Sequence, residues 1–406
     1  MKILTLNFRI YSVEYELFEI KKPGKEKELC RGVVDKIGTE NSTITHKTVN
    51  NRQQYHANIS VSDHYNALEH IISVLTDKKL GIINNIDEID SIGHRVVHGG
   101  EKYINSVIIT EEVKKEIYRN FELAPLHNPF NLKGIEAAEK LIPGKIQIAV
   151  FDTSFHQTLP EIAYRYPLPE KLYTQYRIRK YGFHGISHRY VVERTAYLIN
   201  KPVEKVNMIS IHLGQGSSLC AIKNGISIDT TMGFTPLEGL MMTTRTGDLC
   251  PGIILFLQKS GWTLNEIESC LNKQSGVLGV SGISGDMKEV VEQMRLGNNK
   301  AKLAIDMFVY SIKKYLGAYY LLLGDNIMAI SFTGGIGENS DIIRELICKD
   351  ISFIGIMIDK NKNKQAINGK EMLINKSNSK IKVCVIPRNE KLIIARDVFN
   401  IVSGKK

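Results

Sequence analysis

Residues 209–247 read ISIHLGQGSSLCAIKNGISIDTTMGFTPLEGLMMTTRTG. No other stretch of the chain indicates its fold and chemistry as clearly. The pattern predicts a strand, a glycine turn, a second strand and a tight hairpin at Asn224-Gly225, because an Asn-Gly pair supplies the positive φ angles that such a hairpin needs. The stretch then leads to its only arginine, Arg245. This arrangement is typical of a phosphate-binding segment.

The turn after the first of these strands is suited to an anion. Gly214 and Gly216 let backbone amides come close to a ligand, and Ser217 and Ser218 add hydroxyl donors. A glycine-serine run alone is weak evidence, but here His212 precedes it and an arginine follows it. We therefore predict that this segment handles phosphate.

The composition favours a globular protein with two domains. Its 406 residues are too many for one ordinary core, and 43% of them are hydrophobic. The formal net charge is +10, yet lysine and arginine occur in small groups, such as 21–27 and 360–364, without interleaved aromatic residues. This pattern argues against a nucleic-acid partner and fits an anionic substrate.

No segment predicts a membrane span or an export signal. The most apolar helix candidate, 301–323, contains Asp306, Lys313 and Lys314, so a buried helix and no membrane partner are expected. The N-terminal MKILTLNFRI lacks a long apolar segment and a cleavage site, which predicts a cytoplasmic location. The six cysteines include no CxxC pair, so reduced structural thiols are expected.

The chain shows the same plan twice. Residues 2–7 form a short apolar run, and residues 13–17 alternate apolar and acidic side chains, which predicts strand, turn, strand. Residues 206–229 repeat that pattern. We infer two duplicated halves with a boundary near residue 152.

Other segments have recognisable ends. The strand predicted at 327–333 runs into the glycine-rich 334–339 and a helix from about Ser340, which is typical of a nucleotide site. A helix over 188–199 is expected after Ser187. Thr110 is expected to cap the helix that follows it, and Asn389 to cap the last helix.

Candidate functional residues lie at strand ends and beside glycines. Strand periodicity places Arg95 and Val97 on one face, where a guanidinium can pair with a carboxylate and a valine can cover a methyl group; a structural salt bridge is the alternative. Asp152 ends an apolar strand. It could be a catalytic or metal-orienting carboxylate, or it could cap the next segment. Glycines beside His184 favour an accessible imidazole over a core histidine. Leu126, in a rigid proline-flanked loop, is expected to form a wall.

These segments resemble the acetate kinase family, within the larger superfamily of actin-like, sugar-kinase and heat-shock ATPases. The resemblance runs nearly from end to end and keeps the family's order. Its strongest stretches are GHRVVHGGEKY, LAPLHNP, FDTSFHQTLP, YGFHGISH, HLGQGSS, MGFTPLEGL, TRTGD, SGVLGVSG, FTGGIGENS and PRNEKL.

The resemblance implies an α/β fold of the two-domain actin-like ATPase (ribonuclease H-like) type, with duplicated mixed sheets flanked by helices and an interdomain cleft. Residues 1–152 and about 389–406 would form the N-terminal lobe. Residues 153–388 would form the C-terminal lobe, with most of the nucleotide site and the dimer interface. The implied activity is reversible transfer of the ATP γ-phosphoryl group to acetate, giving acetyl phosphate and ADP, in a homodimer that uses Mg²⁺, or Mn²⁺ in its place.

Carried over by motif position, the resemblance assigns a role to each candidate residue. Asp152, His184 and Arg245 would be catalytic, and Asn7 and Glu390 would serve the metal. The acetate site would consist of Arg95 for the carboxylate and Val97, Leu126, Phe183 and Pro236 for the methyl group. The nucleotide would contact His212, Leu213, Gly214, Gln215, Gly216, Asp286, Met287, Lys288, Gly335, Ile336, Gly337, Glu338 and Asn339.

The first loop departs from the family pattern. The family reads Asn-Ala-Gly-Ser-Ser-Ser-Leu-Lys where this chain has NFRIYSVE at 7–14. Glu14 replaces a phosphate-facing lysine, and a carboxylate there would repel ATP. Arg9, Arg388 and Lys391 are expected to restore the lost positive charge and give a working but altered kinase. Milder changes are Gln215 for asparagine, Phe130 for proline and Lys288 for arginine.

Three other functions stay open at this point. A weakened nucleotide site would leave a catalytically impaired or non-catalytic protein with the same fold. The acceptor could also be a longer short-chain acid, such as propionate or butyrate. A neutral hydroxyl acceptor would need Asp152 as its base and would have no use for Arg95.

Overall fold

The computed structural model describes residues 1–49 and 54–404 of the chain. Two compact units divide it. Unit 1 comprises Met1–Ser154 and Asn389–Lys406, and unit 2 comprises Phe155–Arg388. The chain therefore leaves unit 1 after Ser154 and returns to it for its last helix.

The described residues of unit 1 form one mixed sheet. Its strands are β1 (Lys2–Phe8), β2 (Ser12–Ile20), β3 (Glu26–Asp35), β4 (Thr43–Thr48), β5 (Gln54–Asn58), β6 (Ser91–Val96), β7 (Val107–Ile108) and β8 (Ile146–Phe151). They pair in the order β5-β4-β3-β2-β1-β6-β8-β7. Val13, Tyr15 and Leu17 of β2 are fully buried, as the alternation in this segment predicts. Strand β1 runs antiparallel to β2 and parallel to β6, which runs parallel to β8.

Among the described residues of unit 1, three α-helices precede the boundary with unit 2. They are α1 (His64–Leu75), α2 (Glu111–Arg119) and α3 (Asn128–Leu141). The predicted cap of α2 is confirmed, because the Thr110 hydroxyl accepts a hydrogen bond from the Val113 N–H at 3.4 Å.

Unit 2 is built on a second mixed sheet. Its strands are β9 (Met208–Leu213), β10 (Ser217–Lys223), β11 (Ile226–Thr230), β12 (Ala329–Thr333), β13 (Met372–Leu373) and β14 (Lys382–Val385), in the order β11-β10-β9-β12-β14-β13. Asn224 and Gly225 have φ angles of 53° and 79°, so the predicted hairpin is confirmed.

The helices of unit 2 are α4 (Glu161–Tyr164), α5 (Glu170–Tyr176), α6 (Gly185–Leu198), α7 (Pro251–Lys259), α8 (Leu264–Lys273), α9 (Gly276–Ser281), α10 (Met287–Arg295), α11 (Asn299–Leu323), α12 (Gly334–Asn339), α13 (Asp341–Cys348) and α14 (Lys360–Gln365). Helix α11 contributes Ile305, Phe308 and Ile312 to the core cluster that also holds Ile209 and Phe332 of the sheet. This packing fixes the end of the sheet where β9 and β12 meet the glycine-rich loops.

The last helix of the chain, α15 (Glu390–Val402), packs on the sheet of unit 1. The predicted cap is confirmed, since the Asn389 side chain accepts a hydrogen bond from the Leu392 N–H at 3.2 Å. A methyl group built on Gly93 of β6 would lie only 2.5 Å from Ile394, so glycine allows the helix to approach the sheet closely. This contact lies two residues from Arg95.

The two sheets share one plan. In unit 1 the order β3-β2-β1-β6-β8 combines an antiparallel meander with two parallel strands, and β11-β10-β9-β12-β14 does the same in unit 2. The predicted α/β class, with two mixed sheets flanked by helices, is confirmed. The cleft expected between the lobes stays a prediction.

Three local predictions differ from the structure. Helix α6 begins at Gly185, before Ser187, and His184 is its N-cap residue. The glycine-rich 334–339 was expected only to lead into a helix from about Ser340, but it is itself the short helix α12. Helix α11 buries one face only, since Tyr310 and Leu321 are 67% and 80% exposed. Among residues 1–49 and 54–404, no helix is both long and apolar enough to cross a membrane.

Candidate active site

Unit 1 brings Arg95, Asp152 and Asn7 together. The Arg95 Nε donates to Oδ1 of Asp152 at 3.0 Å, and its Nη2 donates to Oδ2 of the same carboxylate. Its Nη1 donates to Oδ1 of Asn7 at 3.3 Å. The strands explain the meeting, because Asn7 is in β1, Arg95 is in the neighbouring parallel β6, and Asp152 directly follows β8. These contacts use three of the five guanidinium N–H groups, which leaves two for a ligand.

Asp152 is buried, and its partner Arg95 is partly buried. Burial opposes the charge on Arg95, but the carboxylate of Asp152 outweighs it and raises the pKa of the guanidinium. Burial also raises the pKa of Asp152, while Arg95 opposes that rise. The predicted structural salt bridge for Arg95 is therefore present, and the predicted acetate-binding role concerns its remaining donors.

A second ionic cluster lies beside this pair. The Arg9 guanidinium is 3.0 Å from Oε1 of Glu14, and Nζ of Lys391 is 2.9 Å from Oε2. Nζ of Lys391 is also 3.4 Å from Glu16. Burial opposes the charge on Lys391, but Glu14 and Glu16 raise its pKa. We call these four residues the Glu14 cluster.

The other predicted residues of unit 1 surround these two groups. Glu390 begins α15 and acts electrostatically on both Arg95 and Asp152. Val97 is buried just after β6, and Leu126 is half-buried in the loop before α3. In the part of the chain that the structure describes, no three His, Cys, Asp or Glu side chains form a group that could hold a metal ion. A metal at Asn7 and Glu390 would need ligands from a bound molecule.

Unit 2 brings His184 and Arg245 to one glycine. A methyl group built on Gly216 would lie 3.3 Å from Nε2 of His184 and 3.4 Å from Nη1 of Arg245. His184 has a φ angle of 57°, a left-handed conformation that is uncommon outside glycine and often marks functional sites. The absence of a side chain at Gly216 keeps the two polar groups accessible to the same point.

The charge on Arg245 has no carboxylate partner within unit 2. Its Nη1 donates to the Pro236 carbonyl at 3.0 Å, and burial lowers its pKa. The same nitrogen also donates weakly to the Met242 sulfur at 3.7 Å. A half-buried guanidinium whose partners are a carbonyl oxygen and a thioether sulfur keeps its charge for an anionic ligand. The predicted pocket residue Pro236 thus holds the predicted catalytic arginine through its backbone.

The predicted pocket residue Phe183 is 2% exposed, and its carbonyl accepts a hydrogen bond from Nε2 of His156 at 3.0 Å.

A cavity of about 930 Å³ opens beside the same glycine loop. Segments distant in sequence line it, and three of them contain predicted nucleotide contacts, namely Gly214 and Gln215, Asp286 to Lys288, and Gly335, Ile336 and Asn339. The loops after β9 and β12 meet here because the two strands are parallel neighbours, and ligands of α/β proteins bind at the carboxyl ends of such strands. The size suits a nucleotide-sized molecule.

Five of the predicted nucleotide contacts do not line this cavity. They are His212, Leu213, Gly216, Gly337 and Glu338. Leu213 is fully buried, and His212 is 6% exposed with its Nδ1 2.8 Å from the Ser187 hydroxyl. Of the residues that do line it, Asp286 caps α10 by accepting from the Lys288 N–H at 2.9 Å.

The sequence profile of the acetokinase family matches residues 2–396. The chain belongs to the acetokinase family. The acetate kinase of Caldicellulosiruptor saccharolyticus is 50% identical over 398 residues, which are 98% of each protein. The solved acetate kinase of Porphyromonas gingivalis is 45% identical, with a TM-score of 0.91 over 99% of each chain. A propionate kinase from Francisella tularensis is 38% identical, with a TM-score of 0.90 over 98% of this chain and 99% of its own. The family predicted from the motifs is confirmed.

The main departure from the acetokinase pattern is the Glu14 cluster. Where the family pattern leads one to expect lysine at 14 and glutamate at 391, this chain has Glu14 and Lys391, whose charged groups are 2.9 Å apart. The two departures therefore meet in this chain as an ion pair. Arg9 and Lys391 neutralise Glu14. This supports the expectation that nearby cations compensate for Glu14 over the expectation that Glu14 repels ATP. Arg388 belongs to unit 2, where its N–H donates to Glu338 at 2.9 Å.

Reversing one partner alone should break this cluster. We expect Glu14→Lys to lower the free energy of unfolding by about 1 to 3 kcal/mol, because three cations would then meet in a partly buried place. The double variant Glu14→Lys, Lys391→Glu should recover most of the loss. Urea unfolding of both variants measures the effect. Equal instability of the single and double variants would show that the pairing has no energetic importance. The KM for ATP is a separate test: a lower value in Glu14→Lys would show that position 14 faces the phosphates.

Sequence reasoning missed several residues of unit 2. Thr243, Thr244, Arg295 and Ser340 line the cavity. Arg344 is fully buried, and its Nη1 donates to the Gly337 carbonyl at 2.8 Å, which fixes the end of α12. The two threonines directly precede Arg245 and could have been found from that position. Arg344 has no motif around it, and only the fold reveals what it holds.

Proposed function

We propose that this protein transfers the γ-phosphoryl group of ATP to acetate, giving acetyl phosphate and ADP, and catalyses the reverse reaction. The acetate kinase prediction is confirmed by the family match over residues 2–396 and by acetate kinases of about 50% identity over nearly the whole chain. That full-length match is the observation that carries the proposal. The roles of individual residues are our own proposals.

The chemistry of this reaction explains why cations dominate the candidate residues. Acetate is an anion at neutral pH, so the nucleophile needs no general base. The obstacle is its repulsion by a polyphosphate of the same sign, and positive groups remove it. Arg245, with no carboxylate partner in unit 2, and the two remaining donors of Arg95 would bind charged oxygens. Asp152 would orient Arg95 rather than remove a proton.

The nucleotide would bind in the cavity of unit 2. Gly214, Gly335 and their neighbours present backbone at the carboxyl ends of β9 and β12, where phosphates bind in many α/β proteins. Thr243 and Thr244 connect this cavity to Arg245 along the chain. A phosphate chain running from the cavity toward Gly216 would reach His184 and Arg245.

Magnesium fits the residues of unit 1. Mg²⁺ prefers oxygen ligands and is usually held by one or two carboxylates together with substrate phosphates. The Oδ1 of Asn7 and the carboxylate of Glu390 are such ligands, and their small number agrees with a metal that arrives with the nucleotide. When bound, the metal would neutralise charge on the phosphates.

The acceptor preference separates the two closest candidate functions. The similarity to a propionate kinase keeps a longer acid as the second candidate. A methyl-sized pocket should disfavour each added methylene by about 1 to 3 kcal/mol, or roughly 10- to 200-fold in kcat/KM.

The purified protein should form acetyl phosphate, trapped as the hydroxamate, from ATP, acetate and Mg²⁺. Activity should fall in the order acetate, propionate, butyrate, with none toward glycerol, and EDTA should abolish it until Mg²⁺ or Mn²⁺ is added back. Propionate or butyrate ahead of acetate would favour the second candidate. If the wild type forms no more product than an Arg245→Ala control with ATP, GTP or pyrophosphate as donor, the protein is a non-catalytic member of the family.

We also propose that the protein forms a homodimer through unit 2. Helix α7 buries none of its residues, although Ile253, Leu255 and Phe256 are 46%, 58% and 69% exposed. Exposed apolar side chains of this size mark protein interfaces. The exposed face of α11, with Met307 and Tyr310, also carries large apolar side chains.

A cytoplasmic location stays a prediction.

Light scattering should give a mass twice the 45.8 kDa of the chain. Phe256→Glu should convert the protein to a monomer, because a carboxylate in an apolar interface loses its hydration. Tyr118→Glu is the matched control, since Tyr118 is 64% exposed in unit 1. A monomeric wild-type protein, or a Phe256→Glu dimer, would contradict this interface.

A further inference from the structure

A chain of hydrogen bonds runs behind His184 into the core of unit 2. The Ser210 hydroxyl is 2.8 Å from Nδ1 of His188, and Nε2 of His188 is 2.8 Å from the Ser218 hydroxyl. The same Ser218 hydroxyl is 2.9 Å from Nδ1 of His184. Ser210, His188 and Ser218 are fully buried. One continuous path therefore connects His184 to a serine on the central strand.

The local structure explains this path. His184 and His188 are four residues apart at the start of α6, so they lie on one face of the helix. Strands β9 and β10 are antiparallel, with Ser218 opposite His212, and Ser210 lies two residues before His212 on the same face of β9. The histidine face of α6 packs on this face of the sheet.

The proton positions along the path depend on one another. Burial, with smaller effects of His156 and His212, holds the pKa of His188 well below its usual value, so its ring is neutral and has one N–H. A serine hydroxyl has one proton. If Ser210 donates to His188, then His188 donates to Ser218, and Ser218 donates to Nδ1 of His184. If the path runs the other way, Nδ1 of His184 must carry a proton and donate it.

Ser210 decides between the two directions. Within unit 2, all of which the structure describes, Nδ1 of His188 is the only hydrogen-bond partner of its hydroxyl. If His188 donated to Ser210, the buried O–H of the serine would have no acceptor, at a cost of about 1 to 3 kcal/mol. The direction from Ser210 to His184 satisfies every group on the path. A neutral His184 then carries its proton on Nε2.

Nε2 is the nitrogen of His184 that faces the candidate site. A methyl group on Gly216 would lie 3.3 Å from it and 3.4 Å from the Arg245 guanidinium. Because Arg245 already brings a full charge to this point, a second cation beside it would be repelled. The ring of His212 also stacks on His184, with 4.2 Å between centroids. A neutral imidazole with an Nε2–H can donate a hydrogen bond here without adding charge.

We propose that Ser210, His188 and Ser218 are positioning residues that hold His184 as the neutral Nε2–H tautomer, ready to donate to an oxygen of the transferring phosphoryl group. The donor role rests on the proposed function. The tautomer itself rests only on the hydrogen-bond geometry and can be measured without substrate.

Long-range ¹H–¹⁵N correlation spectra of histidine-labelled protein at pH 7.5 report which ring nitrogen carries the proton, and His184→Gln assigns the signals. The wild type should show His184 protonated on Nε2 and not on Nδ1. Ser210→Ala should shift His184 toward the Nδ1–H form, because it removes the group that sets the direction. A wild-type His184 that is cationic or protonated on Nδ1 would overturn the proposal.

A matched control separates this effect from general damage to the core. Ser227 is also fully buried, and its hydroxyl is 2.8 Å from Nδ1 of His156, outside the path. Ser227→Ala should leave the His184 signals unchanged. If Ser210→Ala and Ser227→Ala alter them equally, or if neither does, the path has no control over the tautomer.

Kinetics then test the donor role. Ser210→Ala and Ser218→Ala should lower kcat about 3- to 10-fold with little change in the KM values for acetate and ATP, which is the loss expected for one misdirected hydrogen bond. Unchanged kcat in both variants would refute the donor role. If the spectra agree with the proposal but the wild type makes no acetyl phosphate, the proposed function fails and the tautomer assignment stands.

Discussion

Replacing Arg245 with alanine is expected to lower kcat for acetyl phosphate formation by about 10³- to 10⁵-fold, the range over which an arginine contributes to phosphoryl transfer. Its guanidinium has no carboxylate partner in unit 2 and is held by the Pro236 carbonyl at 3.0 Å. The positive charge is therefore available to oxygens whose charge grows in the transition state. Alanine removes that charge and leaves the phosphoryl group facing an apolar methyl.

The fold should tolerate this substitution, since Arg245 makes no salt bridge within unit 2, all of which the structure describes. The melting temperature should stay within a few degrees of wild type, and steady-state assays with saturating ATP and acetate give kcat. Arg245→Lys should recover only part of the rate, because an ammonium group cannot reproduce the planar fork. Arg119→Ala, at a 70% exposed side chain, is the control for a lost surface charge. A kcat within tenfold of wild type would remove Arg245 from the chemistry.

Mild acid is expected to destabilise the protein strongly. Five histidines are at most 1% exposed, namely His46, His94, His98, His156 and His188. The last four are the most strongly affected by burial. Burial lowers the pKa of His94 and His156 to about 4, lowers that of His98 to about 3, and holds that of His188 well below its usual value. The unfolded chain binds these protons below pH 6.5 and the folded chain does not, so stability falls as the pH drops from 6.5 toward 4.

Each such histidine lowers the free energy of unfolding by about 1.4 kcal/mol per pH unit in this window, which gives at most about 8 kcal/mol for four of them at pH 5. The whole stability of a typical domain is about 5 to 15 kcal/mol. Asp152, Glu16 and Glu238 act in the opposite direction, because burial raises their pKa values and the folded state then holds protons longer. The net loss should still be several kcal/mol.

Urea unfolding between pH 7.5 and 5 measures this dependence. His94→Gln should flatten it by about 1.4 kcal/mol per pH unit below 6.5, because one protonation site is removed. His98→Asn is a second variant, since its amide oxygen can replace Nδ1 as acceptor for the Gly100 N–H, now at 3.0 Å. His56→Gln, at an exposed position, should leave the slope unchanged. Equal slopes for the wild type and both buried variants would contradict the account.

Backbone features were predictable from the sequence because their causes are local. The Asn224-Gly225 hairpin follows from two adjacent residues that accept positive φ angles, and the caps Thr110 and Asn389 from side chains that bond within three residues. Strand alternation in β2 likewise needs only neighbouring residues. The start of α6 was placed too late because His184 caps it in a left-handed conformation that its side chain does not favour.

Side-chain pairing was harder to predict because its causes lie far apart in the chain. Glu14 meets Lys391 across 377 positions, so the sequence could offer compensation by Lys391 only as one interpretation. The bidentate pair of Arg95 with Asp152 depends on β6 and β8 becoming parallel neighbours. The contact of Arg344 with the Gly337 carbonyl has no sequence signal at all. In each case the partner is chosen by strand order and helix docking.

The position of α15 determines how synthesis relates to assembly. A nascent chain that ends at residue 388 already contains every strand and helix of unit 2. Unit 1 at that moment lacks the helix whose Ile394 and Val398 cover Gly93. The strand that carries Arg95 is therefore translated early but reaches its final packing only when α15 covers it. A premature stop codon shortly before α15 would leave unit 2 complete and unit 1 with an uncovered sheet.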